Sequence, residues 1–174
     1  MESAVYFEFE RDFELLKQDE SHIEEVADRL RENIVRDIEK AGEAIERLLR
    51  FTLENGLVMA NARAKYLMSI YLTEKMEYKE SIRYAKEAYE YFRKTDNAAA
   101  VIEACNEIMI ANLLAEMYAD SIHWGNFAME IGEEYQDYKN TFMIGINLAF
   151  AYQMLGEYKE ANEMLKRLET LESE

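Results

Sequence analysis

The sequence predicts an all-α fold of stacked antiparallel helix pairs, and three observations carry this prediction. Tyr78, Tyr118 and Tyr158 are evenly spaced, and each opens a similar segment: YKESIRYAKEA, YADSIHWGNFA and YKEANEMLKRL. The 174 residues include no proline and only 6 glycines, so little interrupts long helices. Alternating β-branched runs, which are typical of strands, are scarce. The spacing is 40 residues, and this period is called one repeat below. A fixed period of this length indicates helix pairs that bury their apolar faces against their neighbours.

The N-terminus is predicted to form a helical extension before the repeats. Its first helix spans 2–17, where apolar residues recur every three or four positions. Phe9, Phe13 and Leu16 are too apolar to face water, so we expect them to pack on the second helix.

The second helix is predicted to run from Ile23 to a stop at Asn55-Gly56 without a break, with Gly42 as a bend. Asparagine and glycine both tolerate the left-handed conformation that ends helices. Six further helices follow in pairs, over 57–75 and 78–94, 97–115 and 118–134, and 139–155 and 158–172. The chain is thus predicted to be a single all-helical domain, 1–174. Its parts are the N-terminal helices, 1–56, and three repeat units, 57–95, 96–136 and 137–174.

The last unit resembles a tetratricopeptide repeat. In that family the first helix carries a large residue, a small one and then an aromatic one, and a turn glycine, a tyrosine and a small residue follow. The matching residues here are Leu148, Ala149, Tyr152, Gly156, Tyr158 and Ala161. The second unit departs from the pattern at Met109 and Asn112. HEAT repeats have a similar period but do not explain the order Gly-x-Tyr-x-x-Ala. The resemblance implies a right-handed superhelix.

In tetratricopeptide arrays the first helix of each pair lines a concave face that binds partners. Carried across unit by unit, this role falls on Arg63, Tyr66, Ile70, Asn106, Ile110, Leu113, Phe150 and Gln153. The same stripe on the third unit includes Met143 and Ile146. The lining is mostly apolar, which suits a protein or peptide partner such as an amphipathic helix. The alternative is that the N-terminal helices fill this groove themselves.

The period of about 40 residues is longer than the usual tetratricopeptide period of about 34 residues. It resembles that of divergent tetratricopeptide domains of bacterial regulators, such as peptide-sensing Rap-type proteins and sensor regions ahead of diguanylate cyclases. This resemblance implies a non-catalytic sensor or protein-binding module of a signalling or regulatory protein, in which this chain is one part of a longer protein. The first alternative is a self-contained homodimeric scaffold. The second is a helical-bundle metal protein or enzyme.

Composition limits the classes of partner. The net charge is −16 and the isoelectric point about 4.6. Nucleic acids and anionic membranes both attract cationic proteins, so neither is an expected partner. The single cysteine permits no internal disulfide, and the sequence shows neither a signal peptide nor an apolar run long enough to span a bilayer. The expected location is the cytoplasm.

The residues that most often carry chemistry are few and scattered. His22 and His123 lack partners at the spacing of a metal or catalytic site, and Cys105 is interpreted as a small buried hydrophobic residue. No phosphate-binding loop, dinucleotide fingerprint or HExxH motif occurs. We therefore expect no catalytic residues, metal or cofactor.

The last helix is predicted to turn Ala161, Leu165 and Leu168 inward against 142–155. Met164 and Leu171 would then remain as a small apolar strip on its outer face. This strip is predicted to join a further domain or to form a two-fold dimer contact through the C-terminal helix.

Overall fold

The computed structural model describes the backbone of residues 9–171 and the side chains of residues 11–170. Every regular element in this part of the chain is a helix. The helices group into two compact units, the first ending at Glu77 and the second beginning at Tyr78. This boundary falls inside the predicted first repeat, 57–95. The organisation as one domain with three repeats stays a prediction.

From residue 9 onward, the first unit contains four α-helices and a short 3₁₀ turn at Glu20–His22. The helices are α1 (Phe9–Gln18), α2 (Ile23–Arg36), α3 (Ile38–Glu54) and α4 (Val58–Glu74). The predicted unbroken second helix is wrong, because it divides at Asp37, whose φ is −152°. The Asp37 side chain accepts a hydrogen bond from the backbone N–H of Lys40, at 3.2 Å, and so caps α3.

Gly42 was predicted to bend the chain, but it lies buried within α3, which continues through it. A Cβ built at this position would lie 2.6 Å from ring atoms of Tyr71 on α4. The missing side chain therefore lets α3 and α4 approach closely, as their packing requires.

The predicted packing of the first helix on the next is confirmed for Phe13. Its ring stacks on Phe51 of α3, with 3.9 Å between centroids and 5° between planes. Leu16 is fully buried. The side chain of Phe9 lies outside the described residues.

The second unit contains five helices up to residue 171, and the bounds of each lie close to those predicted. They are α5 (Tyr78–Phe92), α6 (Ala98–Leu114), α7 (Tyr118–Glu134), α8 (Tyr138–Leu155) and α9 (Tyr158–Leu171). Consecutive helices pack on each other throughout this unit, and α6 also contacts α8. The predicted all-α fold of stacked helix pairs is confirmed.

A left-handed residue ends most of these helices. Gly156, for example, has a φ of +87°. Its N–H donates to the carbonyl of Gln153 at 3.0 Å, and the N–H of Glu157 donates to the carbonyl of Tyr152 at 2.9 Å. These two bonds close a Schellman turn, which satisfies carbonyls that the helix leaves open. The same pair of bonds recurs around the left-handed residues Gly56, Met76, Glu116 and Gln136.

The orientation of the last helix differs from the prediction. Ala161 and Leu168 are buried as expected, but Leu165 is 46% exposed and Met164 only 7% exposed. Leu168 approaches Gly145 of α8 so closely that a Cβ there would overlap it. This contact rotates α9 so that Met164, rather than Leu165, turns inward. Leu171 lies outside the described side chains.

Candidate functional site

The α4 stripe, defined by Arg63, Tyr66 and Ile70, is the first part of the predicted lining, and most of it is covered. Arg63 is only 4% exposed, Tyr66 6% exposed, and Ile70 is half-buried. α2 packs against α4 and accounts for this burial. The expected exposure is therefore wrong for Arg63 and Tyr66, and the alternative, a face covered by the N-terminal helices, holds for α4.

Electrostatics fixes α2 on this face. The Arg63 guanidinium donates to both carboxylate oxygens of Glu24, at 3.1 Å from Nε and 2.7 Å from Nη2. The guanidinium groups of Arg31 and Arg63 each lie 5.5 Å from the centroid of the Tyr66 ring. A bidentate ion pair together with cation–π contacts fixes the geometry of a buried arginine. A lysine, which carries a single point charge, could not form the same pair. Two of the residues chosen as partner contacts thus stabilise the first unit itself.

The α6 stripe, defined by Asn106, Ile110 and Leu113, is half-buried in the second unit. These residues recur at three and four positions, so they share one face of the helix. The Oδ1 atom of Asn106 is buried and has no hydrogen-bond partner within the described residues. A buried acceptor without a partner costs free energy, so Asn106 is the strained polar point of an otherwise apolar stripe.

The α8 stripe, defined by Met143, Ile146, Phe150 and Gln153, is the open part of the predicted lining. Met143 is 54%, Ile146 41% and Phe150 50% exposed, and Gln153 is exposed as well. Each of these residues lies one repeat after a residue of α6. Met143 corresponds to Glu103, and the other three correspond to the members of the α6 stripe in order. Since α6 and α8 contact each other, the two stripes follow one another within the same unit.

The opposite side of α8 holds the helix in place. The Thr141 hydroxyl lies against Gly132 of α7, where a Cβ would overlap it, and donates to the carbonyl of Asp137 at 2.7 Å. The hydroxyl of Tyr152 accepts a hydrogen bond from the side-chain amide of Asn126 on α7, at 3.0 Å. At about 100° per residue, Thr141 and Tyr152 lie across the helix from Phe150. The stripe is therefore presented by a fixed helix.

A groove between α8 and α9, the α8–α9 groove, adjoins this stripe. Its volume is about 300 Å³, and its lining residues include Ile146, Ala149, Phe150, Gln153, Ala161 and Leu165. The structure brings the predicted residues Phe150 and Gln153 together here. Sequence reasoning missed Leu165 because its helical position indicated core. The sequence did contain a signal: the counterpart of Leu165 one repeat earlier is Gly125. A leucine in place of a glycine indicates that no helix packs on this position in the same close way.

The groups capable of chemistry stay apart in the described part of the chain. No cluster of three or more His, Cys, Asp or Glu residues there is placed to hold a metal ion. Cys105 is fully buried, and burial raises the pKa of its thiol to about 12. At neutral pH the thiol therefore stays protonated, and a protonated thiol is a poor nucleophile.

None of the helices within residues 9–171 combines the length and apolar character needed to cross a bilayer.

The stacked helix pairs form a tetratricopeptide-like fold. No protein-family model and no curated relative matches the sequence. The chain is similar in structure to BtubC (BKLC) from P. vanneervenii, with a TM-score of 0.75 and 20% identity over 94% of this chain and 74% of that one. It is also similar to the TPR-like repeats of a kinesin light chain from Podosopora anserina, with a TM-score of 0.67 and 12% identity over 98% of each chain. A variant of those repeats gives a TM-score of 0.69, again at 12% identity, over 99% of this chain and 98% of that one.

Proposed function

We propose that this chain is a non-catalytic protein-binding module and that the α6 and α8 stripes form its binding face. The observation that carries the proposal is the run of exposed apolar side chains on α8, Met143, Ile146 and Phe150. A contiguous apolar patch of this kind on a rigid helix typically marks an interaction site. Folds with tetratricopeptide-like repeats commonly mediate protein–protein interaction, which agrees with this assignment.

The chemistry of the stripes favours an amphipathic helix or a similar protein surface as partner. Ile110, Leu113 and Phe150 offer apolar contact, and the amides of Asn106 and Gln153 offer hydrogen bonds at fixed points. An apolar stripe with few polar groups is the usual receptor for a helix that presents apolar residues at every third or fourth position. The net charge of −16 adds a preference for partners with basic flanks, mainly through the rate of association.

The proposed setting is a cytoplasmic signalling or regulatory protein of a bacterium. It rests on the long repeat period, which resembles that of bacterial regulators, including sensor regions of diguanylate cyclases. The complete coding region tests it: an adjoining cyclase, kinase or DNA-binding domain supports a sensor role, and an adjoining domain of unrelated function contradicts it.

A photo-crosslinking amino acid at Phe150 tests the binding face. In cells of the source organism we expect a defined adduct from this position, because its side chain is exposed on the proposed face. The matched control is the same crosslinker at Val35, an exposed apolar residue of the first unit. Adducts that are identical at both positions, or absent at Phe150, would contradict the proposal.

A self-contained homodimeric scaffold is the second candidate, favoured by the exposure of Leu165. The predicted dimer contact at Met164 does not support it, because that side chain is buried. Sedimentation velocity over a range of concentrations separates the two candidates: a stable dimer favours the scaffold, and a monomer favours the binding module.

A further inference from the structure

The chain itself shows how a helix docks on a surface of the kind that α8 and α9 form. One repeat earlier, α6 and α7 form the equivalent surface, and α8 packs on it. A Cβ on Gly125 would lie 2.6 Å from Cδ2 of Leu148 and 2.6 Å from the sulfur of Met109. Leu148 of α8 is therefore the side chain inserted between α6 and α7, and it is fully buried there.

The surface of α8 and α9 repeats this arrangement with one exchange of volume. A shift of one repeat replaces Gly125 by Leu165 and Met109 by Ala149. Leu165 occupies space that is open at Gly125, and Ala149 opens space that Met109 fills. The α8–α9 groove of about 300 Å³ lies beside Ala149 and Leu165. Compared with the space that Leu148 fills between α6 and α7, the space for a leucine-sized side chain is shifted towards α8.

Charge adds a second, independent indication. Residues 138–171 contain four basic and four acidic residues, so this segment is neutral in a chain of net charge −16. Among the residues that the structure describes, the lining of the groove contains no ionisable group other than the phenol of Tyr158. Burial of an apolar helix face at this position therefore desolvates no charged side chain of the lining, and charge desolvation is the main cost of covering a polar surface.

We propose that the α8–α9 groove receives an amphipathic helix of a partner protein, docked as α8 docks on α6 and α7. A leucine-sized residue of that helix enters beside Ala149, and an uncharged stripe covers Leu165. This inference rests on the proposed protein-binding function and names the kind of segment that is bound. It extends that proposal onto α9, because the groove shares part of its lining with the α8 stripe and adds Leu165 of α9.

A peptide made from α8 is the probe, since α8 has the docking pattern in this chain. The peptide has the sequence of residues 138–155 with acetylated and amidated ends and a fluorescent label. Met143→Lys and Phe150→Lys are included for solubility, because both side chains are exposed in the chain. The matched control peptide carries Leu148→Glu in addition. Binding to the full chain is measured by fluorescence anisotropy.

We expect saturable binding of the first peptide and a loss of at least about tenfold in affinity with the Leu148→Glu peptide. Leu165→Glu in the chain should weaken binding by a similar factor, whereas Val35→Glu, at an exposed apolar residue outside the stripes and the groove, should change it by less than about twofold. Both substituted side chains are exposed in the chain, so circular dichroism should show unchanged folding.

Four results would overturn the inference. Absence of binding at millimolar peptide, or equal binding of both peptides, shows that the groove does not accept a helix in this way. A loss with Met143→Glu but not with Leu165→Glu places the helix on the α8 stripe, which leaves the proposed binding function intact. A dimer of the chain that Leu165→Glu dissociates identifies a second copy as the occupant. The proposed function fails separately, through the crosslinking at Phe150.

Discussion

Arg63 and Tyr66 on α4 stand two repeats before Met143 and Ile146 on α8, so the two pairs occupy the same positions of the repeat. In the first unit α2 covers the α4 pair, and Glu24 pairs with Arg63 at 2.7 Å. In the second unit the α8 pair is exposed over about half of its surface. The position in the repeat therefore decides which side chains share a face. Whether another helix of the same chain packs on that face decides whether the face is free to bind.

The largest expected effect tests whether the α4 face is part of the core of its unit. Tyr66→Ala should lower the free energy of unfolding by about 3–5 kcal/mol, because it removes a buried aromatic ring. Ile146→Ala, at the equivalent position of α8, should lower it by less than about 1 kcal/mol because the side chain is already partly hydrated. Urea titrations followed by circular dichroism measure both, and equal losses would remove the distinction between the two faces.

A smaller effect compares a covered surface, at Gly125, with an open one, at Leu165, within the second unit. Gly125→Ala places a Cβ 2.6 Å from Leu148, and the overpacking should cost about 1–3 kcal/mol, against a gain of about 1 kcal/mol in helix propensity. Leu165→Ala should cost less than about 1 kcal/mol, because its side chain is exposed. Thermal and urea unfolding of both variants provide the comparison. A larger loss at Leu165 would mean that the groove is covered.

The smallest effect concerns the helix turns, which lie on neither face and so provide a baseline. Gln136 has a φ of +57°, which a side chain disfavours. Gln136→Gly should therefore raise the free energy of unfolding by about 0.5–1 kcal/mol, and Gly156→Gln should lower it by at least as much. Differences in urea midpoint measure the two changes. A destabilised Gln136→Gly variant would show that the glutamine side chain makes a contact worth more than the strain.

Local signals explain why the helix bounds were predicted well. The turn at Asn55-Gly56 ends α3 as expected, since the residues that tolerate left-handed backbone are recognisable one by one. The break at Asp37 was missed because the apolar pattern continues across it, although an aspartate cap competes with an unbroken helix.

Burial depends on distant partners and was predicted less well. Arg63 was placed at the surface by its position in the repeat, yet Glu24, which is remote in the sequence, satisfies it in a buried position. Met164 and Leu165 both fit the apolar side of α9, and only its close contact with Gly145 decides which of them turns inward. Such choices depend on how two helices meet, which a single sequence does not encode locally.

The left-handed residues Gly56, Met76, Glu116, Gln136 and Gly156 fall at half-repeat steps along the chain, not only at whole repeats. A helix with its turn is thus the unit of length in this chain. A deletion or duplication of half a repeat would keep the spacing of the turns but exchange the first and second helices of the following pairs. A binding face would then become a packing face. A change of one whole repeat preserves both phases. Length variation within such an array is therefore expected in whole pairs, with single helices gained or lost only at its ends, where a helix has one neighbour.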